Sequence, residues 1–188
     1  MICYTILRLI LSGKLNKNPD DICFINGRNG KPQLKDDSLS FNISHTRDSF
    51  AIAISEHSSI GVDLESLNRN LNFVPVIKRF FSEKENEFIL KYPGKSAERF
   101  FLLWTRKEAL LKAIGTGIIP YLSQIEAFRQ VNIINRNTID DLEDASVQSQ
   151  YYIYSRKLHD CYLSVALPQQ AKITLHHLNK KYFNTFLK

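Results

Sequence analysis

A mixed α+β domain is what this sequence predicts, and three observations predict it. Residues 100–117, FFLLWTRKEALLKAIGTG, place Phe100, Leu103, Trp104, Leu111 and Ile114 at the i, i+3, i+4, i+7 recurrence of one buried helix face. Residues 39–44, 50–54 and 59–65 instead carry the short apolar runs and period-two alternation of strands. The polar turn between the last two runs predicts that they pair as an antiparallel hairpin.

Composition limits what such a domain can be. The 188 residues, 44% hydrophobic, suffice to bury a core as one domain or as two small halves. Lys and Arg number 25 against 19 acids, a net charge of +6, so an anionic partner is expected: nucleic acid, a phosphorylated cofactor or an acidic protein. Cys3, Cys23 and Cys161 are odd in number, widely spaced and in no CxxC pattern, so neither a disulfide framework nor a zinc site is indicated and a reducing, cytoplasmic setting is expected.

The first element is a helix. Residues 2–11 are apolar enough to imitate a secretion leader, but they lack a basic start, contain Arg8 and are too short to cross a bilayer. Ile6, Leu7, Ile10 and Leu11 should face a core, no membrane partner is expected, and the chain reads as beginning in mid-structure. Residues 13–21 are turn-rich, 22–25 form a short strand, and 26–30 turn into GKPQL, where Pro32 keeps Lys31 extended. The strand at 39–44 delivers Ser44, His45 and Thr46 at its end. After the 50–54 and 59–65 strands, the polar stretch 66–72 is the expected seam between two halves, 1–65 and 66–188. A short helix follows at 74–81. Ser82 with Glu85 makes a capping box that starts another at 83–91. Residues 93–95 break the chain before the central helix, which Gly115, Gly117 and Pro120 should end. Residues 135–150 read as a long mobile loop, followed by strands at 151–155, 161–167 and 173–178 and a basic tail.

Chemistry concentrates on two of these elements. Glu108 and Lys112 lie four apart on one helical face, away from the apolar stripe. Alone they describe an ordinary surface ion pair worth a few tenths of a kcal/mol. In SIGVDLE, however, Asp63 and Glu65 share one strand face, about 6 to 7 Å apart, close enough to converge on one hard divalent cation. Glu108 is a third candidate ligand. Lys31 reads either as an exposed loop lysine or as a phosphate contact, and His45 likewise as a surface histidine or a phosphate contact.

Taken in order, GKPQL, FNISHT, GVDLE, RFFSEKE and FLLWTRKEALLKAIGTG closely resemble the signature stretches of the Sfp-type 4′-phosphopantetheinyl transferases. A lone DxE would be weak, whereas WxxKEAxxKxxG with GxDxE some forty residues ahead is specific. The resemblance is tight over residues 30–117. It implies two pseudo-symmetric halves, each a small antiparallel sheet with a packed helix, and a site at their seam. The first half would be truncated, because members of this type carry a further segment ahead of the first helix. Its absence would leave apolar surface and a sheet edge for a partner chain to cover.

The implied activity is transfer of the 4′-phosphopantetheine arm of coenzyme A to a serine of an acyl or peptidyl carrier protein, with adenosine 3′,5′-bisphosphate released. By the same resemblance Asp63, Glu65 and Glu108 stand at magnesium positions, and oxygen ligands with substrate phosphate suit that ion. Lys112 stands at a pyrophosphate position, and Lys31, Ser44 and His45 at nucleotide-phosphate positions. Glu108, or a metal-bound water it orients, is the implied base, and Trp104 is core. Lys78, Arg79 and Lys84 near the seam suit an acidic carrier helix. Two rival readings are a metal-dependent nuclease and a non-catalytic basic phosphate- or nucleic-acid-binding module. Neither accounts for five motifs in order, so nucleic acid is not the expected partner.

Overall fold

The computed structural model describes residues 2–56, 58–116, 122–133 and 150–178. Helix α1 (Ile2–Leu15) buries Ile6, Leu7 and Leu11 as its apolar spacing predicts, while Ile10 is half-buried. Arg8, the charge that argued against a leader, donates to the Pro19 and Ile22 carbonyls and so ties down the chain that follows the helix. Two antiparallel hairpins follow. Strand β1 (Phe24–Asn26) pairs with β2 (Pro32–Leu34), and β3 (Ser40–His45) pairs with β4 (Phe50–Ser55). Leu7 and Leu11 close with Ile22, Leu34, Leu39 and Phe41 into one core.

Strand β5 (Gly61–Ser66) departs from expectation. It does not form a hairpin with residues 50–54, which among the described residues pair with β3 alone. Instead β5 pairs with β8 (Cys161–Leu167) at the edge of a four-stranded antiparallel sheet, ordered β5-β8-β7-β6, with β6 at Val131–Ile133 and β7 at Gln150–Leu158. The other side of β5 faces β3, which reaches it through side chains: the Val62 N–H donates to Asn42 Oδ1 at 2.9 Å and the Leu64 N–H to Ser44 Oγ at 3.1 Å. Val62 and Leu64 lie on the second core with Leu163 and Val165.

The helices follow the sequence closely. They are α2 (Val74–Phe80), α3 (Glu83–Leu90) and α4 (Ser96–Ile114). The capping box forms as read, with Ser82 Oγ accepting from the Glu85 N–H and Glu85 Oε2 accepting from the Ser82 N–H. Gly115 ends α4 in the left-handed region at φ 86°. Trp104 stacks on Phe100 at 5.9 Å, and Phe100 stacks on Phe73 at 5.0 Å, so Trp104 belongs to the aromatic core. Residues 173–178 take no regular secondary structure and join no ladder among the described residues. The reason is topological: β8 is already flanked by β5 and β7, so the chain crosses the apolar face, where Ala171 and Leu175 pack. Strand β6 had no clear sequence signal. Gly117, Pro120, nearly all of 135–150 and the basic tail from 179 lie outside the described residues.

Candidate active site

The site forms where α4 crosses β5, and a glycine permits the crossing. A Cβ on Gly61 would stand 2.0 Å from the Ala109 carbonyl oxygen and 2.4 Å from the Ala113 nitrogen, so only glycine lets the helix backbone lie this close. Two residues on, and therefore on the same strand face, Asp63 points at α4. Its Oδ1 accepts from Lys112 Nζ at 2.7 Å and from Ser44 Oγ at 2.9 Å. Lys112 also donates to Ser44 Oγ and to the Val62 carbonyl, both at 3.2 Å. Lys112 thus pairs with the strand carboxylate, where a plain surface helix would pair it with Glu108. Beside Asp63 in the ladder sits Ser164, whose hydroxyl bonds Thr105 of α4 at 2.8 Å and Ser155 at 2.9 Å.

Asp63 is 5% exposed, so α4 covers the strand face at this point. Its second oxygen, Oδ2, is buried with no hydrogen-bond partner among the described residues, and so is Oε1 of Glu108. Glu108 faces the same charge cluster. Burial, and next the negative charge of Asp63, push its carboxyl up to about 7, against the opposing pull of Lys112. Glu65 is raised too, by burial and then by Asp63, while both its oxygens accept from Arg69 at 3.2 and 3.3 Å.

The two hairpins ahead of β5 supply the remaining candidates. Ser44 is buried and fully engaged with Asp63, Leu64 and Lys112. His45 is exposed at the end of β3, opposite Phe50. Lys31 donates to the Ile60 carbonyl at 3.0 Å and to the Lys112 carbonyl at 2.6 Å, so it arrives at the same crossing. Burial draws its ammonium down to about 8.

Asn42 and Thr105 had no place in the sequence reading, and Gly61 and Lys107 stood in it only as letters of GxDxE and WxxKEAxxKxxG, with no role assigned. For Lys107 a signal existed. It lies three residues after Trp104 and four before Leu111, on the apolar stripe itself, and it is fully buried in a pair with Glu85 at 2.8 Å. Its ammonium also donates to the Leu122 and Ile125 carbonyls.

Among the described residues, no three His, Cys, Asp or Glu side chains converge as a self-sufficient metal centre. Magnesium does not require one, since it is usually held by one or two carboxylates plus phosphate and water oxygens. The unpartnered oxygens of Asp63 and Glu108 fit that donor set, whereas Glu65 is committed to Arg69.

The model of the 4′-phosphopantetheinyl transferase superfamily matches residues 59–166, a span that contains Gly61, Asp63, Glu108 and Lys112. The 4′-phosphopantetheinyl transferase HetI of Nostoc sp. is 39% identical over 126 residues, covering 64% of this chain and 53% of that protein. The 4′-phosphopantetheinyl transferase AcpT of Escherichia coli K12 is 34% identical over 110 residues, covering 57% of this chain and 55% of its own length. The chain therefore spans about half the length of the curated relatives it matches. The solved holo-[acyl-carrier-protein] synthase of Neisseria meningitidis aligns over 60% of this chain and 98% of that one, with a TM-score of 0.44 and 21% identity.

Proposed function

Because the chain belongs to the 4′-phosphopantetheinyl transferase superfamily, we propose that it moves the 4′-phosphopantetheine arm of coenzyme A onto a serine of an acyl or peptidyl carrier protein. The observation that carries this reading is the meeting of Lys112 with Asp63 beside two unpartnered carboxylate oxygens. A fixed cation next to a carboxylate seat suits a pyrophosphate and its counter-ion better than it suits a neutral ligand.

In this reaction the serine oxygen attacks the phosphorus that carries the pantetheine arm. The bond from that phosphorus to the bridging oxygen breaks, and adenosine 3′,5′-bisphosphate departs. Lys112 offsets the charge that develops on the departing phosphate oxygen. Glu108, directly or through a water that it orients, takes the serine proton. Asp63 and Glu108 would hold magnesium, with Glu65 joining only if it leaves Arg69. Bound magnesium supplies charge neutralisation on the pyrophosphate oxygens. Exposed His45 is proposed to meet nucleotide phosphate directly, whereas Lys31, which gives two of its three N–H groups to carbonyls, is proposed to act through Lys112. No helix among the described residues is long and apolar enough to cross a membrane, and the three free thiols suit the reducing cytoplasm.

Calorimetry with coenzyme A tests the site. Magnesium is expected to tighten binding about tenfold or more, and Asp63→Asn, which keeps the shape of a buried residue, is expected to abolish that gain. Binding indifferent to both chelator and Asp63→Asn would remove the metal from this account.

The carrier is proposed to be acidic. Lys78 and Arg79 lie exposed in the last turn of α2, and exposed Lys84 follows at the start of α3, near Glu126 at 3.6 Å. Affinity for the carrier should fall as salt rises from low to physiological levels, through the association rate above all. A salt-independent affinity would argue for an apolar interface.

A further inference from the structure

Taking Lys112 as the pyrophosphate contact proposed above, we propose that residues 29–31 act as a C-terminal cap on α4, supplied from a distant part of the chain, and that Lys31 is a positioning residue for Lys112. A helix leaves its last carbonyls without partners inside the helix. In α4 the Leu111 carbonyl is met by the Gly115 N–H at 2.7 Å. The next carbonyl, that of Lys112, is met by the Lys31 ammonium at 2.6 Å, from 81 residues away in sequence. The Gly115 carbonyl is met by Asn29 Nδ2 at 2.7 Å, from 86 residues away.

The same Lys31 ammonium donates to the carbonyl of Ile60, the residue before β5. One cation therefore joins the end of α4 to the start of β5, the two elements whose side chains Lys112 and Asp63 must meet. A positive charge at a helix C-terminus is favourable in itself, because the exposed carbonyls carry the negative end of the helix dipole. The turn that presents it is well determined. Asn29 at φ 53° and Gly30 at φ 76° take left-handed conformations, and the Gly27 N–H closes on the Lys31 carbonyl at 2.8 Å. Pro32 then holds Lys31 extended toward the helix. Burial that draws the Lys31 ammonium down to about 8 agrees with a side chain turned inward on carbonyl oxygens.

The consequence lies in where the Lys112 side chain starts. Its peptide is fixed by Lys31 and its ammonium by Asp63, Ser44 and Val62, so the stem between them has little freedom. Loosening the peptide lets the ammonium drift, and misplacement of a positioned group by about 1 Å can cost on the order of a hundredfold in rate.

A double-mutant cycle separates this role from direct phosphate binding. Transfer rate and coenzyme A affinity are measured for the wild type, Lys31→Met, Lys112→Ala and the double variant. Lys31→Met is expected to lower kcat/KM about tenfold or more when Lys112 is present and less than about twofold when Lys112 is already Ala. An equal factor in both backgrounds would make Lys31 an independent contact or a merely structural residue, and would overturn the proposal. Asn29→Gly keeps the left-handed backbone, removes the amide and is expected to show the same coupling. Amide exchange at residues 111–116 is a second readout that needs no activity. It should speed up in Lys31→Met while β7 and β8 stay protected, and unchanged exchange there would overturn the cap. If the wild type neither binds coenzyme A nor transfers, the reading of Lys112 fails, yet the exchange result still decides whether the cap exists.

Discussion

Lys112→Ala is expected to lower phosphopantetheine transfer about a hundredfold or more, the rate equivalent of about 2 to 4 kcal/mol of lost transition-state stabilisation. The ammonium is partly desolvated, with 29% of its side chain exposed, and it is held at 2.7 Å from Asp63, so its charge acts at a fixed point. Stability should fall too. Asp63 is buried, and without Lys112 its Oδ1 keeps only Ser44, which should cost about 1 to 3 kcal/mol. A surface lysine at this spacing would lose only a few tenths. Lys112→Arg retains charge without the compact head, so it should recover part of the rate. Wild-type rates in both variants, measured below their melting temperatures, would remove Lys112 from the chemistry.

The largest loss of stability is expected at Lys107. Its side chain and that of Glu85 are both 0% exposed and 2.8 Å apart, and together they tie α4 to α3 and to the chain at 122–127. Lys107→Ala leaves the Glu85 carboxylate buried without its cation and takes the ammonium from the Leu122 and Ile125 carbonyls, of which Leu122 keeps the Ile125 N–H, and this should cost about 3 to 5 kcal/mol. Lys107→Met with Glu85→Gln removes both charges and keeps one side-chain oxygen, enough for either the Ala127 or the Ser82 N–H, which bond separate oxygens of Glu85. That pair should recover a substantial part of the loss, because charge and partner leave together. Urea unfolding midpoints provide the measurement. A cost below about 1 kcal/mol for Lys107→Ala would mean that the pair is not held as described.

What could be read in the sequence divides along physical lines. Local signals were strong: the capping box at Ser82 and Glu85, the stop at Gly115 and the helical stripe on α4 all depend on residues within a turn or two of each other. Long-range pairing was not local, and there the reading failed. Adjacency in sequence suggested a β4–β5 hairpin, but β5 finds its ladder about a hundred residues later in β8 and is hydrogen-bonded to β3 through the side chains of Asn42 and Ser44. Alternation placed Asp63 and Glu65 on one face correctly. It could not say that the face lies under a helix, because that depends on Gly61 admitting α4. Lys107 was legible as a motif letter but not as a buried residue, because a lysine breaks the hydropathy pattern of a stripe it occupies, and its pair with Glu85, fully buried with it, makes that position tolerable.

The most direct measurement of the proposed activity is the intact mass of an apo acyl carrier protein after incubation with this chain, coenzyme A and magnesium. The carrier is expected to gain the mass of one phosphopantetheine on its serine, chelator should prevent the gain, and Lys112→Ala should slow it about a hundredfold or more. A carrier whose mass stays unchanged with the folded wild-type chain, across several carriers, would contradict the transferase reading.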